Sequence, residues 1–108
     1  MKKFHIALSV QNIQQSIVDY SERLNCYPSV IVPNEYALWR TSSVNFSIRK
    51  TTSTQEKLRH LGWEDSSANS FTKDQDVNGI VWENFSSSEQ AKEINNIWPD
   101  IGYIPLED

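Results

Sequence analysis

HIALSVQNIQQSIVDYSERLNC, residues 5–26, decides the fold because its apolar period changes partway along. From Lys3 to Val10, the apolar residues Phe4, Ile6, Leu8 and Val10 alternate with Lys3, His5, Ala7 and Ser9. That is the two-residue period of a strand with one apolar face. From Asn12 the spacing lengthens, and Ile13, Ile17, Tyr20 and Leu24 form a single helical stripe. Asn12 and Gln15 are placed as a capping box, and Pro28 blocks continuation of the helix.

The rest of the chain extends this strand–helix start. SVIVP and YALWRT read as two strands separated by Pro33, Asn34 and Glu35, and VNFSIRK, 44–50, as another. That last strand carries Val44, Phe46 and Ile48 on one face, with Asn45, Ser47 and Arg49 on the other. Residues 3–50 therefore read as β-α-β-β-β. TTSTQEK, 51–57, reads as a linker. A second set follows in LRHLGWE, SFTKD and GIVWENF, with turn chemistry in Asp76-Val77-Asn78-Gly79, where Gly79 is free to take a positive φ. About five residues separate the strand at 58–64 from the one near 70. A parallel crossover needs roughly a dozen or more, so the second set lacks a crossover helix. Ser86 and Glu89 form another capping-box pair, opening a helix over 87–98 that ends at Pro99.

The expected fold class is α+β. Paired βαβββ modules, 3–50 and a shortened 58–85, form a curved mixed sheet around a central hollow, with a C-terminal helix at 87–98. The length, 108 residues, suits one domain.

The net charge of −4 argues against nucleic acid or an anionic membrane as a partner. Residues 1–60 hold eight Lys/Arg and four Asp/Glu, whereas 61–108 hold two and ten. Cys26 is the sole cysteine, which excludes an intrachain disulfide and fits packing better than nucleophilic chemistry. Alternation and His5 spoil a signal-peptide reading of the first residues, and no apolar run reaches membrane-spanning length. The expected home is the cytoplasm.

Glu83 stands in the strand GIVWENF and shares a face with Val81 and Phe85, while Trp82 takes the other. An ionised carboxylate among apolar neighbours is costly unless it is exposed, paired or bound to a cation. His5 and His60 also lie in expected strands with mixed faces. Taken singly, each imidazole reads as a hydrogen-bonded structural histidine. If the strands curve around one hollow, His5, His60 and Glu83 converge as two imidazoles and a carboxylate. That set suits divalent Fe, Mn, Ni or Zn and leaves open positions. Ser47, Arg49, Val81 and Phe85 are the pocket candidates, and Arg49 offers a guanidinium to a substrate carboxylate. Trp39, Trp63, Trp82 and Trp98 read as core or interface. There is no Gly-rich phosphate loop, Ser-His-Asp order or Cys-x-x-Cys pair.

The stretch 5–26 resembles the opening of the vicinal oxygen chelate superfamily, which includes glyoxalase I and the extradiol dioxygenases. Ser16, Ile17, Tyr20, Leu24 and Cys26 fit that family's helix pattern after a first-strand histidine. DVNGIVWENF, 76–85, resembles its closing signature, with Val77 where proline is common. The resemblance implies that His5, His60 and Glu83 are metal ligands. Ser47 falls where glyoxalase-like members carry a fourth ligand, so the set is closer to that of the extradiol dioxygenases. It further implies a metal-dependent enzyme, dioxygenase-like or lyase-like, acting on a small oxygenated substrate. The alternative is a non-catalytic protein of resistance or sequestration type that binds a small molecule on the same scaffold. A homodimer is expected, because family members often pair modules across two chains.

Overall fold

A computed structural model describes residues 1–55 and 57–106. Along the chain run β1 (Lys2–Val10), α1 (Ile13–Leu24), β2 (Val30–Val32), β3 (Tyr36–Arg40), β4 (Val44–Lys50), β5 (Leu58–Asp65), β6 (Thr72–Gln75), β7 (Val81–Phe85) and α2 (Ser87–Ile97). A short helical turn, Pro99–Ile101, follows α2. The strands form one mixed seven-stranded sheet in the order β2-β3-β4-β1-β5-β7-β6. β1 lies parallel to β4, β5 lies parallel to β7, and β1 and β5 meet antiparallel at the centre. The class is α+β, as the sequence implies. No helix among the described residues is long and apolar enough to cross a membrane.

Each helix forms for reasons visible in its own residues. The Asn12 side chain accepts the Gln15 N–H, one half of the expected box, and caps α1. Asn25, in the left-handed conformation at φ 51°, returns its N–H to the last turn and ends the helix. The stripe Ile13, Ile17, Tyr20 and Leu24 packs on Ala37, Trp39 and Ile48. The Trp39 indole N–H is satisfied by Ser21 Oγ at 3.1 Å. In α2 the expected box is complete, with Ser86 Oγ accepting from Glu89 N and the Glu89 carboxylate accepting from Ser86 N.

The position of α2 follows from the pleat. In β3, Ala37 and Trp39 face α1, so Tyr36 and Leu38 face the opposite side. There they pack with Ala91 and Ile94 of α2. Burying Leu38 and Ile94 in this way contributes about 2 kcal/mol apiece. The helix follows β7 after a single residue, Ser86, and lies over the sheet face opposite α1. The hollow expected from the sequence is therefore roofed. What remains between sheet and helix is a cavity of about 40 Å³.

Residues 66–71 join β5 to β6 without a helix, as the short spacing implies. The α1 side of that half of the sheet carries Phe4, Trp63 and Trp82, with ring centroids 5.3 and 6.1 Å from Phe4. Trp63 is 37% exposed, whereas Trp39 beneath α1 is fully buried.

Candidate metal centre

The site is a row across the sheet. Asn45 of β4 pairs with His5 of β1, His5 with Gly62 of β5, and Gly62 with Glu83 of β7. Neighbouring strands lie about 4.8 Å apart, so His5 and Glu83 stand roughly 10 Å apart at the backbone, with a glycine between them. His60 is two residues from Gly62 and shares its face. Its Nε2 reaches between the two, 2.9 Å from His5 Nε2 and 3.0 Å from Glu83 Oε1. A Cβ on Gly62 would collide with the Glu83 carbonyl oxygen and amide nitrogen. The missing side chain thus lets β7 approach closely and leaves the row open.

The ligand atoms of His5, His60 and Glu83 all lie within 4.8 Å of one another. Two donors about 2.1 Å from an ion and at right angles to each other are about 3 Å apart, which matches the His5–His60 and His60–Glu83 edges of 2.9 and 3.0 Å. The tautomer of His5 is also set for ligation. Arg40 holds the Glu64 carboxylate with two bonds of 2.8 Å. Glu64 Oε1 and Gln90 Oε1 both accept from Asn45 Nδ2 at 2.8 Å. The Asn45 Oδ1 is thereby turned to His5 Nδ1, 2.8 Å away, and accepts its proton. His5 Nε2 then presents its lone pair toward His60 Nε2, 2.9 Å away. Burial, reinforced by neighbouring His60, lowers the His5 pKa to about 4, so this imidazole is neutral at pH 7, as a ligand must be. The three side chains form a group that could hold a metal ion.

The cavity above the row joins residues from both layers. Phe85 meets the His5 ring edge-on at 4.9 Å and stacks on Phe71 at 5.6 Å. Ser47 and Arg49 line the cavity, as the face of their strand implies. Val81 does not. It borders a separate shallow depression with Lys57 and Leu58, because it opens β7 two residues before Glu83, beyond the reach of α2. Trp98 packs over Tyr36 at 5.0 Å. Burial raises the Tyr36 hydroxyl pKa.

Six residues at or beside the site escape the motif reading: Arg40, Asn45, Glu64, Gln90, Arg59 and Glu93. Asn45 is visible as the neighbour of Ser47 and Arg49 on a polar strand face, but its partners come from β5 and α2, which spacing does not connect. Arg59 is hidden by strict alternation, which assigns it to the face opposite His60. The β1–β5 register slips between Ala7 and Leu8, which pair with His60 and Leu58, leaving Arg59 as the extra residue. Such a bulge re-aims a side chain, and Arg59 lines the same cavity as His60.

No family model matches the chain, and no curated protein matches it. Among solved structures, the chain is similar to a hypothetical protein from Staphylococcus aureus at 12% identity and a TM-score of 0.55. The likeness covers 79% of this chain and 33% of that one, so the chain spans about a third of its neighbour's length. At that identity the likeness describes the fold alone.

Proposed function

We propose that this protein binds a divalent metal ion through His5, His60 and Glu83. In that reading it acts as a metal-dependent enzyme of dioxygenase-like or lyase-like type on a small oxygenated substrate. The observation that carries the reading is the pair of 2.9 and 3.0 Å spacings around His60 Nε2, joined to a His5 tautomer fixed through Asn45. Bound there, the ion would serve as a Lewis acid with open positions toward the cavity. Asn45 keeps the Nδ1 proton of His5 in place, Phe85 and Phe71 keep one wall dry, and Glu83 supplies the negative charge.

The strand order supports the kinship with the vicinal oxygen chelate superfamily that the sequence resembles. Each half of the sheet centres on a parallel pair, β1 with β4 and β5 with β7, and the halves meet antiparallel. This is the relation that two βαβββ modules would have, the second without its helix. Pairing of two copies belongs to the same reading, and sedimentation as a monomer at assay concentration would remove it.

A second reading, non-catalytic binding of a small ligand, is favoured by the size of the cavity. About 40 Å³ holds an ion and a few atoms beyond it, well short of the several hundred Å³ of ordinary substrate pockets. The test of the metal site is titration of protein stripped by chelator with Mn(II), Fe(II), Ni(II) and Zn(II). One equivalent should bind, and His5→Ala with Glu83→Ala should abolish it. Failure of all four ions to bind near neutral pH ends the proposal. Turnover of a small oxygenated compound by loaded protein then separates the two readings.

A further inference from the structure

Two guanidiniums face the same cavity as the His/His/Glu row. Arg49 extends from β4, two residues after Ser47, and its guanidinium lies over the Trp98 ring at 5.3 Å. Arg59 arrives through the bulge in β5. Among the described residues neither guanidinium has an ion-pair or hydrogen-bond partner. Two like charges converging on a small, partly buried space repel each other and lose hydration. Elsewhere the fold does not leave its arginines so. Arg40 is held bidentately by Glu64, and Arg23 pairs with Asp19 at 2.9 Å.

The charges around the cavity point to what completes it. Glu83 and Glu93 also line it, and their two carboxylates offset the two guanidiniums. Both imidazoles are neutral when they ligate. A divalent ion on the row therefore leaves two positive charges uncompensated. The cavity, about 40 Å³ with the row among its walls, limits the neutralising group to a few atoms.

We infer that the cavity takes a small dicarboxylate of oxalate or malonate size, one end on the metal ion and the other on Arg49 and Arg59. This rests on the metal-binding reading above and names the class of ligand for that site. A planar guanidinium matches a carboxylate with two parallel bonds, and the Trp98 ring, 5.3 Å from the Arg49 guanidinium carbon, holds that side chain at the cavity. The bulge is what brings the second guanidinium to the same carboxylate.

Oxalate titrated into Mn(II)-loaded and metal-free protein, followed by calorimetry, tests the inference. Oxalate should bind the loaded protein, and Arg49→Gln and Arg59→Gln should each weaken it by about tenfold or more, the loss expected for a charge-assisted bond. Mn(II) affinity should not fall in the glutamine variants, because each removes a positive charge from the cavity that His60 and Glu83 also line. Arg59→Lys, which keeps the charge and removes the fork, should fall between parent and Arg59→Gln, and it serves if the glutamine variant folds poorly. Oxalate affinity unchanged in all three variants overturns the inference, since the metal alone would then hold the anion. Absence of oxalate binding to both forms also overturns it. If the protein takes up no Mn(II) but binds oxalate with arginine dependence, the anion site stands and the metal reading falls.

Discussion

Asn45 touches no proposed ligand of the ion other than His5, yet it decides what that ligand presents. Its amide is pinned by two acceptors, Glu64 and Gln90, leaving only its oxygen for His5 Nδ1. Asn45→Leu keeps the approximate volume and removes this constraint. Metal affinity is then expected to fall by about 10- to 100-fold, as for other outer partners of metal-bound histidines; competition against a chelating dye measures it, and an unchanged affinity would show that packing and the backbone carbonyl of residue 45, 3.1 Å from Nδ1, suffice to orient the ring. Asp76 shows a second residue-scale dependence. Its carboxylate accepts from the Trp82 indole and from the Ile80 and Asn78 amides, and these bonds hold its pKa below 3.8, the Trp82 bond most strongly. A depressed carboxylate pKa adds stability above the unfolded value and loses it as pH falls through the folded one. Asp76→Asn should therefore be less stable than the parent at about pH 6, with a narrower gap at about pH 3. Urea unfolding followed by tryptophan fluorescence at both pH values checks it.

At the scale of elements, the contact between β5 and β7 is decisive. Gly62 allows it, because any Cβ there meets the backbone of Glu83. Gly62→Ala must push β7 away, carrying Glu83 from His60. The expected cost is about 2 kcal/mol or more in stability, typical of overpacking, with a parallel loss of metal affinity. Chemical denaturation and metal titration on the same variant test the link; a destabilised protein that still binds metal as the parent does would separate the glycine from the site. The helices show how little a correct element assignment says about placement. Both caps and both apolar stripes are legible in the sequence, from Asn12 with Gln15 and from Ser86 with Glu89. Spacing does not reveal that α2 would cross the sheet face opposite α1, because that depends on Tyr36 and Leu38 being free of α1 and close enough to receive Ala91 and Ile94.

Across the whole molecule, the three proposed ligands stand on β1, β5 and β7, at the seam between the two halves of the sheet. An ion bound only by the folded chain stabilises it by mass action, about 2.7 kcal/mol at one hundred times Kd. For a chain of this size that is a rise in Tm of about 10–20 °C. Thermal unfolding with and without Mn(II) or Zn(II) measures it, and His5→Ala should remove the shift. A Tm indifferent to metal in the parent would mean that the row is a hydrogen-bonded histidine pair. The other whole-molecule feature is the imbalance between halves. α1 shields Trp39 completely, whereas among the described residues no helix covers Trp63 and Trp82 on the same side of the sheet.

The sequence by itself determined the elements and most of the row. Alternation and helical spacing are local properties, so they locate seven strands, two helices and the faces on which His5, His60, Ser47, Arg49, Glu83 and Phe85 stand. Only the tertiary structure decided what surrounds them. The Asn45–Glu64–Gln90 network joins three elements remote in the chain, and its hydrogen bonds exist only once β1, β4, β5 and α2 are in place. The bulge that turns Arg59 inward is a property of register between two strands, and one slipped pair is invisible in either strand alone. Val81 leaves the cavity for the same kind of reason, since a shared strand face fixes direction but not distance from the helix that closes it.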